Sequence, residues 1–183
     1  MNEVLKAISE RYSCRSFKTD MPNSEHLSLI AEAAVQAPSG MNNQPWEIIV
    51  VKNQKLIKEM ENEGFSNLKK SSPPAYDRIM GRGGKLFYDA PCMIIVTTEN
   101  GGAALDCGIV CQNITLSAQS LGLASVICGL AGFSFAKEAP AADFKKRLGF
   151  KENHDLGMTI LIGYPNVVTE PHTPDKSKIS FVE

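Results

Sequence analysis

The stretch APSGMNNQPW, residues 37–46, decides how the chain is organised. An apolar helical pattern ends just before it, and an apolar run, Ile48 to Val51, begins just after it. Pro38 and Gly40 stop the helix, because proline lacks an N–H and pushes the preceding residue out of the right-handed helical region. By the same rule Pro45 is expected to keep Gln44 extended and to feed the chain into a strand. Between the prolines lies a short segment rich in amides and hydroxyls, closed by the only Trp of the chain, Trp46. Such a loop can hydrogen-bond a polar, planar ligand, or it can satisfy its own backbone through Asn and Ser side chains.

Working outward, Asn2 to Ser9 reads as a helix with Val4, Leu5 and Ile8 at helical spacing, followed by RYSCRSF at 11–17. Asn23 or Ser24 caps a helix whose apolar face is Leu27, Ile30, Ala31 and Ala34. After strand 47–51, Asn53 caps a helix with Leu56, Ile57 and Met60 inward. Residues 64–85, with Ser71-Ser72-Pro73-Pro74 and Gly81-Arg82-Gly83-Gly84, are expected to form a long surface loop with little helix. Cys92 to Thr97 is a wholly apolar run and reads as a buried strand. Ala103 to Leu121 is a long helix of small and apolar residues, suited to a core or a subunit interface and ended by Gly122. Then come strand 124–128, a turn at Gly129, a helix from Pro140 to Leu148, and strand 156–164. From Pro165 the chain is polar and proline-rich and is expected to run extended over a surface. The expectation is one domain over 1–183, with four or five strands and residues 165–183 as an arm.

Composition narrows the function. With 43% hydrophobic residues, 21% charged residues and a formal net charge of −1, the chain reads as a soluble globular protein without the positive field that nucleic acid requires. No apolar run reaches the ~18 residues needed to cross a bilayer. The N-terminus has no apolar core of a secretory signal, and Cys14, Cys92, Cys107, Cys111 and Cys128 show no CxxC spacing. Reduced, buried thiols in a cytoplasm are therefore expected.

Several chemistries lack their residues. The glycines at 81–84 do not make a phosphate-binding P-loop, no GxGxxG follows a strand, and neither HExxH nor GxSxG occurs. His26, His154 and His172 are scattered. Cys107 and Cys111, four apart on one helix, read as core residues, and no metal site is expected. Arg11 and Arg15, also four apart with Ser13 between them, can share a helix face and surround a phosphate or a polarised carbonyl; the alternative is a solvated basic turn.

RYSCRSF followed by APSGMNNQPW resembles the FMN-dependent nitroreductase family. Asp106, Gly108, Asn113 and Leu116 through GLAS at 122–125, IGYP at 162–165, and Lys176 and Lys178 extend the resemblance over nearly the whole chain. It implies an α+β fold, a mixed sheet flanked by helices, and a homodimer with exchanged terminal arms and FMN at its interface. It also implies binding roles. Arg11 and Ser13 match positions at the flavin phosphate or ribityl chain, with Tyr12 between them where the family often has a basic residue. Arg15 matches the cation beside flavin N1 and the C2 carbonyl. Pro38, Ser39, Gly40, Asn42 and Gln44 match the loop along the isoalloxazine, contributed by the partner subunit. Cys128 and Gly129 fall where a backbone N–H approaches N5, and Lys176 and Lys178 match a pair that closes on the phosphate. The activity implied is hydride transfer from NADH or NADPH to an electron-poor small molecule, such as a nitroaromatic or quinone, by alternating use of one pocket. A flavin carrier or sensor, or a dedicated dehydrogenase or dehalogenase, are the alternatives. The compact, glycine-rich stretch from Asp77 to Tyr88 departs from members that carry long helices there.

Overall fold

The computed structural model describes residues 2–99 and 103–183. The order is α1 (Glu3–Glu10), α2 (Ser24–Val35), β1 (Trp46–Val51), α3 (Gln54–Ser71), α4 (Pro73–Met80), β2 (Cys92–Glu99), α5 (Ala104–Ser120), β3 (Ala124–Ile127), α6 (Glu138–Leu148) and β4 (His154–Gly163). Short 3-10 turns sit at Gly40–Asn42, Gly129–Phe135 and Lys176–Lys178. The fold is α+β, with one four-stranded sheet in the order β1-β2-β4-β3.

All three strand pairings are antiparallel. The parallel element of the expected mixed sheet is confined, among the described residues, to an isolated bridge between Ser13 and Ser125. The sheet is covered on both faces. Met93 and Ile95 of β2 pack with α3, α6 and the 129–135 turn, while Cys92, Ile94 and Val96 pack with α2 and α5. Alternate residues of a strand face opposite ways, so a strand covered twice reads as a continuous apolar run.

The helix starts follow local chemistry. Asn2, Asn23 and Asn53 each cap a helix, accepting from the N–H of Leu5, Glu25 and Leu56. The expected loop over 64–85 is overturned: α3 continues to Ser71, and Pro73 and Pro74 occupy the first turn of α4. Proline belongs there, since the first helical N–H groups need no partner within the helix. Gly64 lies inside α3 because the contact with the 129–135 turn is close; a Cβ there would stand 3.0 Å from both Leu86 Cδ1 and Ser134 Oγ. Glu61 fastens the segment after α4: its buried carboxylate accepts from Leu86 N (2.9 Å) and Phe87 N (3.0 Å), with Lys58 at 2.7 Å.

Candidate functional site

Residues 11–17 leave α1 as an extended strap rather than prolonging the helix. Arg11 caps α1 with φ −62° and ψ 131°. The strap then joins the sheet, where Cys14 N donates to Ser125 O at 3.0 Å and Phe17 bridges to Pro165. Tyr12 and Cys14 are buried, Arg11 and Ser13 are half-buried, and Arg15 is exposed. The two arginines thus share a side through the two-residue period of extended chain, not through helical spacing as expected. Because the Ser13–Ser125 bridge is parallel, the strap carries Arg15 toward the Ile127–Gly129 end of β3. Arg15 Nη1 donates to Ser13 O at 3.3 Å.

Tyr12, one of the expected binding residues, has its side chain in the interior core, 8% exposed. Its hydroxyl has no well-formed hydrogen bond there. Burial, reinforced by Cys14, pushes the phenol above its ordinary range.

The loop at 37–46 is folded largely upon itself. Ser39 Oγ accepts from Gln44 N at 2.9 Å, and Gln44 Nε2 donates to Asn42 Oδ1 at 3.2 Å. Gln44 is not extended as expected: its φ is 46°, and Met41 and Asn42 are also left-handed at 53° and 55°. Ser39 draws the Gln44 amide back across the loop, which overrides the preference that Pro45 imposes. Left-handed residues other than glycine or asparagine carry strain on the order of 1–3 kcal/mol each, and such strain gathers at functional loops. Pro38, Gly40, Asn42 and Gln44 are exposed and Ser39 is half-buried, so the loop presents its polar atoms outward. Sequence reading gave Asp106 no role of its own, yet its Oδ1 accepts from Gly40 N at 3.3 Å and ties the loop to the first turn of α5.

At the end of β3, Cys128 N donates to Thr159 O at 2.8 Å. That amide is committed to the sheet, which leaves Gly129 to offer an N–H. The Cys128 thiol is buried, and burial pushes it up to about 11. All five cysteines are free and buried. No three His, Cys, Asp or Glu side chains cluster into a metal site among the described residues.

The tail differs from expectation at its lysines. Lys176 to Lys178 form a 3-10 turn capped by Asp175, so residues two apart no longer share a face. Lys178 Nζ pairs with Asp175 at 3.9 Å, and both lysines are exposed. Asn166 is anchored, donating from N to Ser16 O at 2.9 Å.

Residues 8–164 match the model of the Nitroreductase family. The chain belongs to that family. A nitroreductase with bound FMN from Desulfitobacterium hafniense superposes with a TM-score of 0.96 at 54% identity, covering 100% of both chains. A nitroreductase with bound FMN from Bacteroides fragilis gives 0.89 at 29% identity, again over 100% of both. A provisionally named NADH dehydrogenase/NAD(P)H nitroreductase from Archaeoglobus fulgidus is 28% identical over 172 residues, 90% of this chain and 87% of the relative. No helix among the described residues of this family member is long and apolar enough to cross a membrane.

Proposed function

We propose that this nitroreductase binds FMN and works as an NAD(P)H-dependent oxidoreductase on an electron-poor small molecule, a nitroaromatic or quinone. The observation that carries the reading is the strap, which turns Arg11, Ser13 and Arg15 to one side while Tyr12 and Cys14 fill the core. That row fits FMN chemically. A phosphate of about −1.5 to −2 charge suits a guanidinium and a hydroxyl, and each hydrogen bond to a charged group contributes roughly 1.5–3 kcal/mol. When bound, the flavin supplies hydride transfer, accepting from the nicotinamide and delivering to the acceptor. Arg11 and Ser13 hold the phosphate end. Arg15 sets a fixed cation where negative charge gathers on reduction. Gly129 offers the backbone N–H near the reactive nitrogen, its neighbour Cys128 being tied to Thr159.

The loop carrying Pro38, Ser39, Gly40, Asn42 and Gln44 acts on the flavin of a second subunit in this reading, and the tail lysines Lys176 and Lys178 close over the phosphate. A homodimer accounts for apolar groups that a lone chain leaves in water. Val4, Leu5 and Ile8 of α1 are 64%, 54% and 48% exposed, and Met41 at the loop tip is 94% exposed. With donor and acceptor sharing one pocket, turnover is ping-pong.

The test is the colour of the purified protein. It is expected to be yellow, to bleach with NADH or NADPH without oxygen, and to give parallel double-reciprocal lines as the acceptor is varied. Yellow protein that neither nicotinamide bleaches would instead indicate a carrier. Colourless protein that takes up no added FMN overturns the reading.

A further inference from the structure

Cys107 and Cys111 lie one turn apart on α5, and both are buried free thiols. Sequence alone makes them core cysteines, but the structure adds a cavity. A pocket of ≈ 220 Å³ opens between the first turns of α5 and the facing parts of β2, β3 and β4, and both cysteines line it together with Met158, Gly108, Gly157 and Thr98. Gly157 makes room for the sulfur: a Cβ there would stand 3.1 Å from Cys107 Sγ and 3.0 Å from Val96 O.

The pair is ill-suited to a disulfide. Residues four apart on a helix hold their Cβ atoms about 5–6 Å apart, whereas a disulfide needs about 3.5–4.5 Å. Both are free thiols in the structure. A metal ion replaces the single S–S bond by two metal–sulfur bonds and so removes that mismatch. The lining residues include two thiols and one thioether, and no His, Asp or Glu is among them. Thiolate and thioether sulfur select soft ions such as Cu(I), while imidazole and carboxylate, the donors of harder ions, are missing from the wall.

We infer that Cys107, Cys111 and Met158 form a binding site for one soft, thiophilic monovalent ion of the Cu(I) or Ag(I) type. Binding breaks two S–H bonds, forms two metal–thiolate bonds, accepts the Met158 thioether as third donor and releases two protons, with no change of oxidation state. Ile127 also lines the pocket, so the site lies beside the end of β3 used in the flavin reading, but it is argued from the sulfur donors and not from that reading.

The experiment is an anaerobic titration of the intact, pre-reduced protein, as isolated, with Cu(I) buffered by a chromogenic chelator, followed by sulfur-shell counting through X-ray absorption. One ion per chain is expected, in a shell of three sulfurs. Cys107→Ser and Cys111→Ser should each lose the tight equivalent, Met158→Leu should keep it with two sulfurs, and Cys92→Ser, in the core, should leave the three-sulfur shell intact. Met158→Leu retains both thiols, so it reports even where a serine variant folds poorly. A native protein that leaves Cu(I) with the chelator, a shell containing nitrogen or oxygen donors, or a three-sulfur shell that survives Met158→Leu would each overturn the assignment.

Discussion

Asp106 Oδ1 accepts the Gly40 N–H at 3.3 Å and so pins a strained loop to a helix 66 positions later in the chain. The loop also holds Gln44 through Ser39 Oγ, so it is fastened at two points that sequence spacing does not reveal. Asp106→Ala removes one of them. A partly exposed hydrogen bond of this kind is worth about 1 kcal/mol, so FMN affinity should fall roughly fivefold with little change in melting temperature. Flavin release followed by fluorescence, beside a melting curve, separates the two effects; an unchanged affinity would show that the tether does not serve the flavin.

Arg15→Ala is expected to leave FMN partly bound while lowering its reduction potential and slowing hydride uptake, because the charge on the reduced cofactor loses its cation. Arg15→Lys should be milder but not silent, since the planar fork is lost. Spectroelectrochemistry of both variants checks this, and an unaltered potential in Arg15→Ala would place the residue away from the flavin ring.

Glu61 offers a stability prediction. Oε1 alone accepts from both Leu86 N and Phe87 N, residues 0% and 1% exposed. Glu61→Ala strands two buried N–H groups at about 1–3 kcal/mol each. A chain of this size loses about 2–4 °C of melting temperature per kcal/mol, so a fall of several degrees is expected. Glu61→Gln keeps a carbonyl in the Oε1 position and gives up mainly the pair with Lys58, which is 63% exposed. It should recover most of the loss. Equal melting temperatures for Ala and Gln would mean that the oxygen is not what holds the segment.

The parts legible in sequence were those with a local cause. β2 declared itself because both of its faces are covered, and α2 and α3 because asparagine caps precede an apolar period. Residues 64–80 misled because Gly64 and Pro73-Pro74 are breakers in isolation. Gly64 is instead a contact with the 129–135 turn, and the prolines start α4. At the site, the residue types around Arg11 and Ser39 could be read, but not what arranges them. The strap is extended because β3 lies beside it, and Gln44 is left-handed because Ser39 pulls its amide.

The buried thiols predict an alkaline limit to stability. Burial pushes Cys92 up to about 12 and Cys128 up to about 11, from 9.0. Below pH 9 both folded and unfolded chains carry these protons, and the stabilisation is complete. As pH rises from about 9 through 11 and 12, the unfolded chain binds fewer protons than the folded one, so stability falls. Each such thiol contributes a slope of about 1.4 kcal/mol per pH unit within its window. Cys92→Ala should flatten the upper part of that limb in denaturant titrations across pH. A limb as steep as the parent's would show that Cys92 ionises as readily folded as unfolded.

The tail gives the last prediction. Its first part is fixed to the body: Phe17 bridges to Pro165, and Asn166 bonds to Ser16. Beyond Val168 the described residues are exposed except Pro171, and Ile179, Phe181 and Val182 are 63%, 89% and 97% exposed. Ordering costs about 1–2 kcal/mol per residue, and nothing in the chain itself offsets that for three bare apolar side chains. A second subunit would, by taking Ile179, Phe181 and Val182 as anchors and bringing Lys176 and Lys178 to the flavin phosphate. Truncation should therefore follow Val168, which spares the Pro165 and Asn166 anchors and isolates the arm. Mass in solution and FMN content are then measured together. Parallel loss of the dimer and of bound flavin is expected. Lys176→Ala with Lys178→Ala in the full-length chain should lower FMN content while leaving the dimer intact, because the apolar anchors remain. A truncated protein that stays dimeric and fully yellow would reduce the arm to a frayed terminus and remove both lysines from the site.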